Sequence, residues 1–277
     1  MPVVIPIELA MRISGIIPYS IFERILKFLS LRNFKILERN TFDILKSVVA
    51  NKYLTKSNFV LSNYGVWLSK NSTDKTFELS VLGYRNKLDK ILNKVSEPSI
   101  FVDIGANQGV FSLLAAKNRN FAEIHAFEPN LKVVQFLEKN FRFNKVHNGI
   151  IHKFAINSKS GTFNFLAPKN HSGAGKLSSK EYNMKIVCVN YEYLNKIFKK
   201  LNYFYFVKID VEGSEYLVLK ELFKSEIGSH INKIFVEVTF TFQREKEKVY
   251  KLLENLGFRE VFAKKLNRNV YDILFVR

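Results

Sequence analysis

The chain has 277 residues, of which 47% are hydrophobic, so it can bury a large core and is too apolar for wholesale disorder. Its single cysteine, Cys188 in the apolar run IVCV, excludes a disulfide framework and predicts a buried core residue in a reducing, cytoplasmic compartment. The net charge of +18 favours anionic partners, but its Lys and Arg residues fall in short, scattered runs that are typical of a solvated surface.

Residues 1–75 predict a helical N-terminal extension. Pro18 suits the first turn of a helix, apolar residues recur at helical spacing from Ile21 to Leu29, and Thr41 is a candidate cap of a second helix. We find no secretory signal and no apolar run near the ~20 residues that span a bilayer. The basic apolar stripe allows peripheral association with a membrane surface, although packing on the neighbouring domain is commoner.

Residues 76–277 predict one α/β domain in which short apolar strands alternate with helices. Crossover helices between the strands argue for a parallel sheet covered on both faces. The last two apolar runs, REVFAKKL and VYDILFVR, have no helix between them and should form an antiparallel pair at the sheet edge. This pattern outlines a class I methyltransferase, with a Rossmann-like doubly wound sheet. The predicted parallel strands are IFVDIG, EIHAFE, IIHKFAI, YFVKID and KIFVEV.

The stretch DIGANQG, which begins at Asp103, follows the first predicted strand, where open parallel sheets bind ligands. Gly105 permits a tight turn, and Gly109 is expected to let the start of the helix approach a ligand. A dinucleotide-binding turn would have glycine in place of Asn107, and Asp103 would repel a pyrophosphate. The aspartate instead suits a ligand with an ammonium or sulfonium group, and S-adenosylmethionine carries both.

The second predicted strand ends in FEP, which places Glu128 to accept hydrogen bonds from the two hydroxyls of a ribose. Enzymes that use NAD and those that use S-adenosylmethionine share this feature, so DIGANQG decides in favour of S-adenosylmethionine. Two residues after the third strand are expected near the adenine. The predicted cofactor-binding residues are therefore Asp103, Gly105, Ala106, Asn107, Gly109 and Glu128, with Ala155 and Asn157 at the adenine.

The motifs DIGANQGVFSLLAA, HAFEPN, LEKNFRFN, AINSKSG and VKIDVEGSEYLVLKEL resemble the FkbM-type family of S-adenosylmethionine-dependent methyltransferases. The resemblance runs from about Asn63 to Val238, and KIDVEGSE is its most specific motif, because general methyltransferases lack it. It implies transfer of a methyl group to oxygen, typically in small-molecule, polyketide, glycan or sugar-related biosynthesis. The helical N-terminal region falls outside the resemblance.

The candidate catalytic residues are acids and bases expected near the transferred methyl group. Alternation puts Lys208 and Asp210 on one face of the fourth strand, Glu212 follows at the turn, and Glu237 ends the fifth strand. A carboxylate there could act as general base, orient the acceptor hydroxyl or share a metal. Lys208 could act as a base only if burial lowered its pKa by several units. His171, in the loop NHSGAGK, is a further candidate base.

No metal is predicted, since zinc-ligand spacing is absent and nothing in the sequence requires magnesium. The acceptor is expected to be a small molecule, sugar or glycan precursor, including anionic ones. An RNA ribose 2′-O-methyltransferase is an alternative, because that reaction also needs only a carboxylate and a lysine. Methylation of bases is disfavoured, since DVEG stands where an Asn/Asp-Pro-Pro-aromatic motif would lie. A non-catalytic S-adenosylmethionine-binding or membrane-surface module is the other alternative, and the oligomeric state is open.

Overall fold

A computed structural model of the chain describes residues 58–71, 73–83, 87–239, 243–265 and 270–277. The chain divides into two units between residues 84 and 85. The helices predicted around Pro18 and Thr41 lie outside the described residues, so the helical extension over residues 1–75 stays a prediction. Among the described residues, no helix combines the length and apolar character that crossing a membrane requires.

The described residues of the first unit form a β-hairpin followed by a helix. β1 (Phe59–Leu61) and β2 (Trp67–Ser69) pair antiparallel, and α1 spans Lys75–Leu82. The helix begins where the Asp74 side chain accepts a hydrogen bond from a backbone N–H of the first turn. It ends at Gly83, whose φ of 66° is left-handed. The strand predicted within YGVWLS corresponds to β2.

The second unit contains two β-sheets. The larger has the strand order β12-β13-β11-β10-β3-β4-β5, in which the strands from β11 to β5 are parallel and β13 runs antiparallel between β11 and β12. The predicted parallel sheet with an antiparallel pair at its C-terminal edge is therefore confirmed. The strands are β3 (Ser99–Ile104), β4 (Phe121–Phe127), β5 (Gly149–His152), β6 (Ala155–Ile156), β7 (Gly161–Leu166), β8 (Lys176–Leu177), β9 (Met184–Val189), β10 (Phe204–Ile209), β11 (Ile231–Thr239), β12 (Arg259–Lys265) and β13 (Val270–Val276).

Helices cover the larger sheet. Every residue of β3 is buried, as expected for a central parallel strand covered on both faces. Leu194, Leu219 and Leu253 from three helices are fully buried in one core with the strands, and α3 packs on β3 and β4. The helices are α2 (Leu88–Asn93), α3 (Val110–Ala116), α4 (Leu131–Phe143), α5 (Tyr191–Ile197), α6 (Glu215–Lys224) and α7 (Gln243–Asn255).

The third predicted strand, IIHKFAI, is in fact two strands in different sheets. β5 ends at His152, and β6 belongs to a four-stranded sheet with the order β6-β9-β7-β8. The prediction was wrong because the polar pair His152 and Lys153 within this run does not by itself show that the chain leaves the first sheet there. Phe165, Ile186 and Cys188 form the buried core of the small sheet, so the expected core position of this cysteine is confirmed.

Candidate functional site

The predicted site residues lie at the carboxyl edge of the larger sheet. Ile104, at the end of β3, pairs with Phe127 of β4 on one side and with Ile209 of β10 on the other. The turns that follow these strands therefore begin side by side, in the crevice where open parallel sheets bind ligands. The side chains brought to this edge are those of Asn107, Glu128, Asp210, Glu212 and Glu237.

The turn after β3 is held against both neighbouring strands. The backbone N–H groups of Gly105 and Ala106 donate to the Phe127 carbonyl at 3.0 and 2.9 Å. Gly105 has a φ of 79°, and a Cβ atom there would lie 1.8 Å from the carbonyl oxygen of Asp210. Only glycine fits this position, so Gly105 serves both the predicted tight turn and the close packing of β3 on β10.

Gly109, at the start of α3, faces a neighbouring helix. It has a φ of 84°, and a Cβ atom there would lie 2.3 Å from Leu137 Cδ1 in α4. Helix packing therefore accounts for this glycine, whereas the sequence suggested an approach to a ligand. This contact does not test the predicted approach of Gly109 to a ligand, which stays a prediction.

Asn107 connects the turn to two other parts of the edge. Its φ of 51° is left-handed, a conformation that asparagine tolerates better than most residues. Its backbone N–H donates to Glu128 Oε2 at 3.0 Å, and its side-chain amide donates to Ser172 Oγ at 3.0 Å. Ser172 begins a short 3-10 helix, Ser172–Ala174, in the glycine-rich loop. The loop is thus bonded to the turn.

Glu128, directly after β4, is 7% exposed. Its Oε1 accepts a hydrogen bond from the Asn130 backbone N–H at 2.9 Å, and its Oε2 accepts the one from Asn107. Burial raises the pKa of Glu128 to about 7, although these two hydrogen bonds oppose the rise. A carboxylate has about four lone-pair sites, so two remain for further donors. Two ribose hydroxyls match that capacity.

Asp103 has no exposed surface. Its Oδ2 accepts hydrogen bonds from the backbone N–H and the hydroxyl of Ser112, at 3.1 and 2.7 Å. Its Oδ1 lies 3.2 Å from the ammonium of Lys208. Because the carboxylate is enclosed by these groups, the geometry favours a positioning role over the direct contact with a ligand ammonium that the sequence predicts.

Lys208 is a buried cation between the turn after β3 and Asp210, which directly follows β10. Its ammonium lies 3.6 Å from Asp210 Oδ2 and donates to the Gly105 carbonyl at 3.2 Å. Burial alone would lower the pKa of Lys208, but Asp103 and Asp210 raise it above its ordinary value. These neighbours disfavour the candidate role of Lys208 as a general base, which stays a prediction.

Asp210, Glu212 and Glu237 form an acid cluster, in which one oxygen of each lies within 4.8 Å of the other two. Glu212 has a φ of 53°, an unusual conformation for a non-glycine residue. Burial, followed by repulsion from Asp210 and Glu215, raises the pKa of Glu212 to about 7. Burial and repulsion from Asp210 also raise the pKa of Glu237. Of the three carboxyl groups, Glu212 is thus the one whose pKa lies near neutral pH.

Asp272 is a member of this site that the sequence interpretation missed. It lies on β13 directly opposite Glu237 on β11, and it is 1% exposed. Its carboxyl group lies within hydrogen-bonding reach of Glu237, which requires one of the two to be protonated, and Lys264 of β12 pairs directly opposite it. Burial and repulsion from Asp210 raise its pKa to about 7. The one signal in the sequence is a charged residue at a core position of the apolar strand VYDILFV.

The remaining predicted residues lie in the loop and the small sheet. His171 directly precedes the 3-10 helix that Asn107 contacts, and its role as a base stays a prediction. Ala155 is in β6, and the following Asn157 is buried, with its backbone N–H donating to the Val189 carbonyl at 2.8 Å. The Asn157 side-chain oxygen accepts from the next backbone N–H, at 2.8 Å. Contact of these two residues with an adenine stays a prediction.

Several solved structures are similar to this chain at low sequence identity. A Pyrococcus horikoshii protein named as a transferase matches with a TM-score of 0.50 and 13% identity, over 98% of this chain and 97% of its own. Trm5b from Pyrococcus abyssi matches with a TM-score of 0.44 and 13% identity, over 80% of this chain. The chain spans only 56% of the length of Trm5b. Precorrin-6y C5,15-methyltransferase from Geobacter metallireducens matches with a TM-score of 0.41 and 16% identity, over 69% and 87% of the two chains.

The family comparison identifies the domain. A comparison with curated proteins found no match. The Methyltransferase FkbM domain matches residues 103–260, which are more than half of the chain. The matched region runs from the end of β3 into β12 and includes the turn, Glu128 and the acid cluster. The resemblance noted in the motifs is thus confirmed, and the chain belongs to the FkbM methyltransferase domain family.

Proposed function

We propose that the protein is an S-adenosylmethionine-dependent O-methyltransferase, whose acceptor is a hydroxyl of a small molecule, sugar or glycan precursor. Membership of the family supports methyl transfer. The observation that carries the choice of oxygen is the acid cluster, in which Asp210, Glu212 and Glu237 converge within 4.8 Å beside the turn after β3. A hydroxyl must lose its proton as it attacks a methyl group, and a nearby carboxylate can accept that proton.

The crevice beside the turn fits S-adenosylmethionine, which supplies an electrophilic methyl group on a sulfonium. Glu128 has two acceptor sites left after its bonds to Asn107 and Asn130, and these suit the ribose hydroxyls. Asp103 and Lys208 fix the end of β3 from within the core. The donor would then lie between Glu128 on one side and the acid cluster on the other.

Glu212 is the carboxylate best suited to act as general base. Its pKa of about 7 leaves a large fraction ionised at neutral pH, and its basicity exceeds that of an ordinary glutamate. Glu212 would accept the proton of the acceptor hydroxyl as that oxygen attacks the methyl group, which S-adenosylmethionine would supply with its sulfur as the leaving group. Asp210, anchored by Lys208, would orient the hydroxyl for this displacement.

The charge of the cluster bears on the class of acceptor. Asp210 and the ionised fraction of Glu212 would repel a phosphate placed directly beside the reacting hydroxyl. This favours a neutral hydroxyl compound over RNA, whose ribose 2′-hydroxyl lies next to a phosphodiester. The net charge of +18 would still suit an acceptor with anionic groups further from the reacting end.

Calorimetric titration of the full chain with S-adenosylmethionine, S-adenosylhomocysteine and NAD tests the donor. We expect micromolar binding of the first two and none of NAD, whereas binding of NAD alone would contradict the proposal. Incubation with methyl-labelled donor and separate pools of neutral polyols, glycans and RNA then tests the acceptor. Label transferred to RNA alone would replace the proposed acceptor class by the ribose alternative.

A further inference from the structure

The glycine-rich loop, residues 167–175, is held at its base and at its tip. The base is fixed by the pairing of β7 with β8, in which Leu166 lies opposite Lys176. At the tip, the Ser172 hydroxyl accepts a hydrogen bond from the Asn107 side-chain amide at 3.0 Å and donates to Asn107 Oδ1 at 3.2 Å. Asn107 belongs to the turn after β3, 65 residues earlier in the chain. A loop of the small sheet is therefore attached to the turn of the larger sheet.

Asn107 also contacts the carboxylate that is proposed to bind the donor ribose. Its backbone N–H donates to Glu128 Oε2 at 3.0 Å. Its φ of 51° is left-handed, a conformation that the surrounding contacts must hold in place. One residue thus bonds to the ribose-binding carboxylate through its backbone and to the loop through its side chain. A ligand that fixes Glu128 therefore also fixes the bonding partner of Ser172.

The loop carries or adjoins two ionisable residues that bear on the reaction. His171 directly precedes Ser172 and is the predicted base on the acceptor side. Lys176 follows the loop and has an exposed side chain. Burial and repulsion from Asp210 raise the pKa of Glu212, and the Lys176 ammonium opposes that rise. The end of the loop is therefore close enough to the acid cluster for its position to affect the proposed general base.

We propose that Ser172 is a positioning residue that fastens the glycine-rich loop to the turn after β3, so that donor binding orders the acceptor side of the site. The inference rests on the proposed use of S-adenosylmethionine. Ribose hydroxyls that donate to Glu128 would hold its carboxylate against the Asn107 N–H, and Asn107 would then hold Ser172. The donor would bind first, and the acceptor would meet a loop already in place. Because such coupling is reciprocal, an acceptor that contacts the loop should also tighten donor binding.

Hydrogen exchange of the full chain, read by mass spectrometry over the segment from Leu166 to Leu177, measures order in the loop. Saturating S-adenosylhomocysteine, whose binding is measured by calorimetry, should slow exchange of this segment in the wild type. Ser172→Ala should speed its exchange in the ligand-free chain by about three- to tenfold, as the loss of one hydrogen bond predicts. S-adenosylhomocysteine should still bind to this variant, because the Glu128 contacts remain, but it should no longer slow exchange of the loop.

Two further variants separate the role of the Ser172 hydroxyl from general effects on the small sheet. Ser172→Thr keeps a hydroxyl and should restore the protection of the loop by S-adenosylhomocysteine. Ser160→Ala removes a hydrogen bond of 3.0 Å to Asn190 Oδ1 at the opposite end of β7, and it should behave as the wild type. Exchange of the buried strands β3 and β10 should be the same in all three variants, which would show that each is folded.

The outcomes distinguish this coupling from the proposed function. Binding of S-adenosylhomocysteine that slows loop exchange equally in the wild type and in Ser172→Ala would overturn the role of Ser172. Binding that leaves loop exchange unchanged in the wild type would overturn the coupling as well. In both cases the methyltransferase proposal would stand. A wild-type chain that does not bind S-adenosylhomocysteine would overturn the proposed function and, with it, the coupling to the donor.

Discussion

The Lys208 ammonium lies 3.2 Å from the Asp103 carboxylate, and both side chains are buried, with exposures of 4% and 0%. This pair joins the central strands β3 and β10, next to the turn that begins at Gly105. Because the pair is enclosed, removing one partner leaves the other charge in the core without compensation.

Substitution of Lys208 by methionine should therefore destabilise the domain strongly. We expect Lys208→Met to lower the free energy of unfolding by about 3–5 kcal/mol, measured by urea titration. The matched control is Lys233→Met, which removes an ammonium 3.0 Å from the half-exposed Glu97. An exposed ion pair contributes at most about 1 kcal/mol, so equal losses in the two variants would contradict the assigned role of the buried pair.

Substitution of Gly105 by alanine should distort the turn. The new Cβ atom would lie 1.8 Å from the Asp210 carbonyl oxygen, and the φ of 79° is unfavourable for alanine. Gly257→Ala is the control, because Gly257 has a φ of 81° and its nearest neighbour is 3.8 Å away. We expect about 1–2 kcal/mol for Gly257→Ala from the backbone alone. Gly105→Ala should cost at least about 2 kcal/mol more through overpacking.

Thermal unfolding together with titration of S-adenosylhomocysteine distinguishes the two glycine variants. Gly105→Ala should lower both stability and donor affinity, whereas Gly257→Ala should lower stability only. Equal stability in the two variants would show that the turn moves away from Asp210 at little cost.

Substitution of Glu128 by glutamine should weaken donor binding. Glutamine has an NH₂ group in place of one oxygen, so it would set a donor against the backbone N–H of Asn107 or Asn130. We expect the affinity for S-adenosylhomocysteine to fall at least about tenfold, since two charge-assisted hydrogen bonds to the ribose are lost. Glu138→Gln, at a surface ion pair with Lys153, is the control. An unchanged affinity in Glu128→Gln would remove Glu128 from the donor site.

Substitution of Asp210 by asparagine separates binding from turnover. Its carboxylate is one-third exposed and belongs to the acid cluster. We expect Asp210→Asn to keep the affinity for S-adenosylhomocysteine within about threefold. The kcat should fall by about 100-fold or more once an acceptor is found, as for loss of an acid–base residue. A normal kcat would exclude Asp210 from the reaction.

The buried His125 and His152 predict that acid destabilises the domain. His125 Nδ1 lies 3.0 Å from His152 Nε2, and the two rings are stacked. Burial and the neighbouring His125 lower the pKa of His152 to about 3, from 6.5. As the pH falls below 6.5, the unfolded chain binds a proton that the folded chain does not, so stability is lost. The loss from His152 is about 2 kcal/mol at pH 5.

Buried carboxyl groups with raised pKa values increase stability as the pH falls, whereas His152 decreases it. Comparison of variants separates the two effects. His152→Gln keeps a polar partner for His125 and should lose less stability than the wild type between pH 7 and pH 5. The control His147→Gln removes an exposed histidine and should follow the wild type. Identical pH profiles for the wild type and His152→Gln would contradict the assignment.

Local patterns were sufficient for much of the fold and for part of the site. The alternation of strands and helices can be predicted from short windows of sequence. The placement of Glu128 at the end of a strand can be predicted in the same way. Family motifs located Asp210 and Glu212. In each case the informative residues are neighbours in the chain, so no knowledge of distant packing was needed.

What the sequence interpretation missed depends on distant pairing. Asp272 faces Glu237 only because β13 inserts antiparallel beside β11, and the register of that pairing is not readable from either strand alone. Gly109 is fixed by contact with Leu137, which lies one helix further along. The raised pKa of Lys208 follows from Asp103, more than one hundred residues earlier, and from Asp210 on its own strand.

The small sheet brings the two ends of its own chain segment together. Ala155 pairs with Cys188 and Ile156 with Val189, so the first and last strands of the small sheet lie side by side. The segment between them, residues 157–187, lies outside the seven strands of the larger sheet. Ser172, within this segment, is hydrogen-bonded to Asn107, so the segment also reaches the carboxyl edge of the larger sheet. Changes in residues 158–187 should therefore alter what this edge can contact while the seven strands of the larger sheet stay as they are.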